Sequence, residues 1–156
     1  MTPYRRGQAL IEFALLIPLV FVLAVNALNF GTFIFAWITV ANAARDGAQY
    51  MTMSSASPGA PAPASLAQIT TLVTSDVASL LNRASVVVAI CTNNTTAANG
   101  CTTFFDPEAP SYTLATVDVT YTYKPPVPLF PFPGLHISAT LPNTTIHRKA
   151  VMRMLQ

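Results

Sequence analysis

The sequence predicts an α+β fold: a long N-terminal transmembrane helix followed by a small extracytoplasmic head of one amphipathic helix and three to four antiparallel strands. Three observations predict it. The run from Phe13 to Ile38 is predominantly apolar, and after Glu12 no charged residue occurs before Arg45. Leu66, Ile69, Val73, Val77 and Leu80 recur at helical spacing, which marks one buried helix face. Segments around Val86–Ile90 and Leu114–Tyr123 are β-branched or alternate with period two, as strands do.

Phe13 to Ile38 exceeds the roughly 20 residues a helix needs to cross a bilayer. A cleaved secretory signal would have an apolar core of about 7–15 residues closed by a small-x-small site, and this run is longer and lacks that ending. Arg5 and Arg6 precede the helix and little positive charge follows it, so the N-terminus is expected in the cytoplasm and the head beyond the membrane. Trp37 is expected at the far membrane–water interface. Pro18 has no N–H to give the Ala14 carbonyl, so a kink is expected there. Asn26, Asn29 and Gly31, with Ala27, offer polar and small groups for close helix packing; scattered Asn, Gly and Pro in a membrane helix is the plain alternative. The helix is expected to run from Gln8 into the forties, with Gly47 weakening it near its end.

Beyond Tyr50 the character changes. Residues 54–64 are Ser, Ala, Pro and Gly, including Pro58-Gly59-Ala60-Pro61-Ala62-Pro63, and read as a linker. Ser65-Leu66-Ala67-Gln68 is a capping-box start, and the amphipathic helix is expected to reach about Asn82. Its stripe suits packing on a sheet better than lying on a membrane surface, because only Arg83 is basic nearby. Ser85–Thr92 is the first expected strand and Tyr112–Tyr123 the second, with a bulge near Ala115-Thr116 where alternation breaks. Lys124 to Gly134 is too proline-rich to continue a ladder. Leu135–Leu141 and about Thr144–Met154 are the remaining strand candidates.

Composition narrows the function. Charged residues make up 9% of the chain against about 25% in soluble domains, and 52% is hydrophobic. Net charge is +2 with no extended basic patch, so nucleic acid is not an expected partner. No phosphate-binding glycine loop, nucleophile elbow or His-Glu metal helix occurs, so neither an enzymatic reaction, nor a small-molecule substrate, nor a cofactor is expected. Asp76, Asp106, Glu108 and Asp118 are scattered and read as solvated charge. Cys91 and Cys101 close a short Asn/Thr-rich loop and suit a disulfide outside the cytoplasm. His136 and His147 show no ligand spacing with them, so no metal site is expected.

Arg5-Arg6-Gly7-Gln8-Ala9-Leu10-Ile11-Glu12-Phe13 resembles the processing and assembly signal of type IV pilin-like proteins. The resemblance sharpens with Gly7 to Pro18, followed by Asn42-Ala43-Ala44-Arg45-Asp46-Gly47-Ala48, and with the ending Ala150-Val151-Met152-Arg153. Together these are similar to the TadE-like family, minor pilin-like subunits of the tight-adherence (Tad, or Flp) type IV pilus system. The resemblance implies cleavage between Gly7 and Gln8 by a prepilin peptidase, and assembly through Glu12 and Phe13 at the fifth and sixth mature positions. With the linker and head read from composition and patterning, the chain is expected to divide into a cytoplasmic leader peptide (1–7), a transmembrane pilin-like helix (8–53), a linker (54–64) and an extracytoplasmic head (65–156). The implied partners are inner-membrane lipid, the peptidase and other pilin-like subunits of the pilus. The implied location is the bacterial cytoplasmic membrane, crossed once, with possible incorporation into an extracellular pilus. A type II secretion pseudopilin and a non-polymerising single-pass anchor stay open as alternatives.

Overall fold

The computed structural model describes residues 4–56, 64–92, 113–128 and 140–154, with side chains in the first helix described from Gly7 to Met53. That helix, α1 (Tyr4–Ala56), is followed by α2 (Leu66–Asp76), a 3₁₀ turn (Arg83–Ser85) and the strands β1 (Val87–Thr92), β2 (Leu114–Tyr123) and β3 (Thr144–Arg153). The strands form one antiparallel sheet in the order β1-β2-β3. The chain is therefore α+β, with a long apolar N-terminal helix. The described residues of 1–34 and 125–143 make one compact unit, and those of 35–124 and 144–156 make a second.

In the first unit, α1 is exposed at every residue from Gly7 to Phe21. Its most apolar window has a mean hydropathy of 2.4, and none of that window is buried inside the protein. A helix with these properties has the length and composition to cross a membrane. The helix runs unbroken through Pro18. Two of its polar side chains turn back on their own backbone: Asn26 Nδ2 donates to Val22 O at 2.9 Å and Thr32 Oγ1 to Leu28 O at 3.1 Å. Such bonds let polar residues sit in an apolar helix without water.

In the second unit, α1 changes its residue code. Ala36, Val40, Ala43, Ala44, Ala48 and Met51 are buried at helical spacing, and all but Val40 and Met51 are alanine. Small residues let the backbone come close to its neighbours. Gly47 shows how close: a Cβ there would stand 2.9 Å from Val73 Cγ2, 3.2 Å from Val117 Cγ1 and 3.4 Å from Ile69 Cγ2. Gly47 therefore does not end the helix, which continues to Ala56; it admits α2 and the sheet against α1.

The capping box forms as its sequence predicts. Ser65 N donates to Gln68 Oε1 at 2.9 Å, and Gln68 N donates to Ser65 Oγ at 3.3 Å. Ile69, Val73, Val77 and Leu80 are buried, whereas Leu66 is 50% exposed and drops out of the expected stripe. The helix stops at Asp76, not Asn82, and a turn carries the chain on. The turn serves β2: Asn82 Nδ2 donates to Thr122 O at 3.0 Å, and Ser85 Oγ accepts from Thr122 N at 3.1 Å. Ser85 is thus spent on the turn, and β1 begins at Val87.

The expected bulge in β2 is absent. Register is continuous on both sides, with Thr116 opposite Cys91 on β1 and Val151 on β3. Alternation fails there because Leu114, Ala115, Thr116 and Val117 are all buried, so both faces are covered. Farther along, Val117, Val119, Tyr121 and Tyr123 share the core face, with Ile146 opposite Tyr121. Of the expected strand at Leu135–Leu141, Thr140 and Leu141 are irregular backbone and the rest lies outside the described residues. Residues 57–63 of the expected linker also lie outside them, while 54–56 still belong to α1.

Candidate functional site: the N-terminal helix

Gly7, Gln8, Glu12 and Phe13 all lie on the exposed start of α1. Gln8 and Glu12 are one helical turn apart, and Gln8 Nε2 donates to Glu12 Oε1 at 3.2 Å. That bond leaves the carboxylate's other oxygen open to a second donor. Phe13 is 63% exposed, and Leu10, Ile11, Leu15, Leu16 and Leu19 around it are all more than half exposed. The arrangement is a single carboxylate set, beside Gln8, in an otherwise apolar surface. A carboxylate so placed is costly in lipid unless a cation or donor meets it.

Farther along, the expected packing residues divide. Gly31 is exposed, and an added Cβ there would meet nothing within 4 Å. Ala27, four residues earlier, is exposed too. Asn29 departs from expectation. It is fully buried, its Nδ2 donates to Val127 O at 3.1 Å, and its Oδ1 accepts from Val127 N at 3.2 Å. The amide read for close helix packing thus bonds within its own chain. Pro128 O in the same segment accepts from Thr140 Oγ1 at 3.2 Å.

In the second unit, two features went unforeseen. The Arg148 guanidinium lies 3.5 Å over the Trp37 ring, a cation–π stack. The register explains it: Arg148 pairs with Val119 on the core face of the sheet, so its charge enters the core side and finds an aromatic face. On the other face, Asp118 is only 14% exposed, and its Oδ1 lies 2.7 Å from His147 Nε2, without hydrogen-bond alignment. Asp118 is therefore not the solvated charge its sequence context suggested. Asp76 on α2 has its carboxyl pushed above the ordinary range, first by partial burial and then by the negative charge of Asp46. Cys91 is buried in β1, and Cys101 lies outside the described residues. No cluster of three or more potential metal ligands occurs among the described residues.

Residues 7–49 match the family model described as TadE-like protein. Over this segment the chain is similar to the TadE-like family. No curated protein and no solved structure matches it. The matched TadE-like segment carries Gly7, Gln8, Glu12, Phe13, Pro18, Asn26, Asn29 and Gly31, and ends inside the stretch that packs on α2 and the sheet. It supports a pilin-like protein associated with the Tad pilus, held by an apolar helix able to enter a membrane. Sequence reasoning missed Val127 as Asn29's partner. One signal was there to find: among Pro125, Pro126, Val127 and Pro128, only Val127 has an N–H to satisfy.

Proposed function

We propose that this TadE-like protein is a minor pilin-like assembly subunit of a Tad (Flp) pilus, acting in pilus biogenesis and surface adherence. The precursor sits in the cytoplasmic membrane with its leader inside and its head outside. A prepilin peptidase cuts it between Gly7 and Gln8. Cleavage creates a positively charged amine on Gln8, and Glu12 of one subunit meets that amine on a neighbour. Pairing the two charges offsets the desolvation that each suffers alone in an apolar stack. Phe13 and the exposed leucines around it supply the contact area, and Ala27 with Gly31 allows close approach of a neighbouring helix.

The observation that carries this reading is Glu12 standing alone on the exposed apolar start of a helix that matches the TadE-like model from Gly7 onward. Intact-mass and N-terminal peptide analysis tests it, on protein from membranes with and without the peptidase. A mature chain beginning at Gln8 only when the peptidase is present is the expected result. A chain that keeps Arg5 and Arg6 in both overturns processing and leaves a single-pass anchor. If processing holds, Glu12→Ala should spare membrane insertion but remove the protein from sheared surface filaments.

A further inference from the structure

The segment that Asn29 holds has a backbone suited to little water. Pro125, Pro126 and Pro128 have no N–H, so Val127 carries the only backbone donor in the four residues, and Asn29 Oδ1 takes it. The carbonyls of Val127 and Pro128 accept from Asn29 Nδ2 and Thr140 Oγ1. No charged residue occurs in 125–128 or in 140–143. Lipid-exposed irregular chain is excluded from the hydrocarbon core, but a segment whose single donor and two of whose carbonyls are met inside the protein has less hydration to lose at the headgroup–acyl boundary.

Its position on α1 points the same way. Counted from Phe13, the roughly 20 residues a helix needs to cross a bilayer end near Thr32, within one turn of Asn29. Leu28 and Phe30 beside Asn29 are 61% and 56% exposed. These described residues group with the membrane-length part of α1 in one unit. Pro126 and Pro128 are exposed.

We infer that Pro125–Pro128, clamped to Asn29, form a lipid-contacting strap that rests in the headgroup–acyl boundary where α1 leaves the bilayer. The inference rests on α1 spanning the membrane. The strap carries no charge, so its partner is a lipid surface whether zwitterionic or anionic, and salt does not release it. Asn29 is a positioning residue: it satisfies the lone donor and fixes where along the helix the strap sits.

The test uses the full chain in phosphatidylcholine vesicles with Trp37→Phe, so that a tryptophan introduced elsewhere is the only one. Pro126→Trp is compared with Leu19→Trp in the span and Leu81→Trp on the other unit, all at exposed positions. Each is quenched by lipids brominated on the acyl chains and, separately, by acrylamide in water. Pro126→Trp should be quenched by brominated lipid roughly twofold or more over Leu81→Trp, as expected of an aromatic ring at the interface. Adding Asn29→Leu should remove that excess while Leu19→Trp keeps its own. If Leu19→Trp itself shows no lipid quenching, the membrane reading fails and the inference with it. If Leu19→Trp is quenched but Pro126→Trp follows acrylamide, or is shielded from both quenchers by a protein neighbour, the strap alone is overturned. Unchanged quenching with Asn29→Leu overturns the clamp.

Discussion

Replacing Gly47 is the sharpest test of how the head is held. In an exposed helix, Gly→Ala gains about 1 kcal/mol from backbone entropy. Here the new methyl meets Val73 Cγ2 at 2.9 Å, whereas carbon atoms pack best at about 3.5–4.0 Å. Val73 and Val117 are both fully buried and β-branched, so neither has a free rotamer to swing into. Overpacking of this kind costs about 1–3 kcal/mol. The two terms leave Gly47→Ala destabilised by up to about 2 kcal/mol, and Gly47→Val by more, because its extra methyls meet the same wall. At about 4–8 °C per kcal/mol for a domain of 60–100 residues, the valine variant should lose roughly 10 °C or more in Tm. The assay is thermal unfolding of the full chain in detergent micelles, followed by the fluorescence of Trp37, the sole tryptophan. Val73→Ala removes the nearest obstacle. Combined with Gly47→Ala it should cost less than the sum of the two single changes, by about 1 kcal/mol. A rise in Tm for Gly47→Ala, or strict additivity with Val73→Ala, would refute the close packing of α1 at Gly47.

Two further expectations concern the same unit. The carboxyl of Asp76 is raised by burial and by Asp46, so its ionised form penalises the fold fully above the folded pKa. The penalty lifts as pH falls through that value toward the unfolded 3.8. Asp76→Asn should therefore raise Tm at neutral pH, and its advantage should vanish toward pH 3.8 or below in a pH series; an advantage that grows on acidification would reverse the sign. If Cys91 and Cys101 form the expected disulfide, alkylation of the unfolded, unreduced chain should leave both unmodified by intact mass. Reduction should then cost about 2–3 kcal/mol in the melt, while modification of either cysteine before reduction would exclude the bridge.

What could be read from the sequence was local. The capping box at Ser65 and Gln68 lies within one turn, and the alternation of Val117, Val119, Tyr121 and Tyr123 needs only one covered face. The start of α1, with Gly7, Glu12 and the apolar run, is equally a matter of neighbouring residues. The readings that failed depended on partners far along the chain. Nothing near Asn29 announces its bond to Val127, which is 98 positions away. Asp118 looked solvated because His147 reaches it only through the β2–β3 register. Gly47 looked like a helix terminator because composition cannot show a valine from α2 and another from β2 meeting at its Cα. Leu114–Val117 looked like a bulge because lost alternation also results when both faces are buried.

The two residue codes along α1 bear on how its family segment should be read. Between Leu10 and Phe21 the helix shows large apolar side chains to its surroundings, which suits lipid or another subunit. Between Ala36 and Ala48 its buried positions other than Val40 are small, and around Gly47 its neighbours are residues of the same chain. The match over 7–49 spans both regimes, so a shared sequence there does not imply a shared task. Substitutions at Ala43, Ala44 or Gly47 act on the fold of the head, and any loss of pili they cause follows from a subunit that no longer folds. Glu12 lies on the exposed part of α1, so Glu12→Ala should leave the Trp37 melt unchanged. Loss of filament incorporation with that melt intact is the combination that assigns Glu12 to assembly, and it separates polymerisation from stability in a single helix.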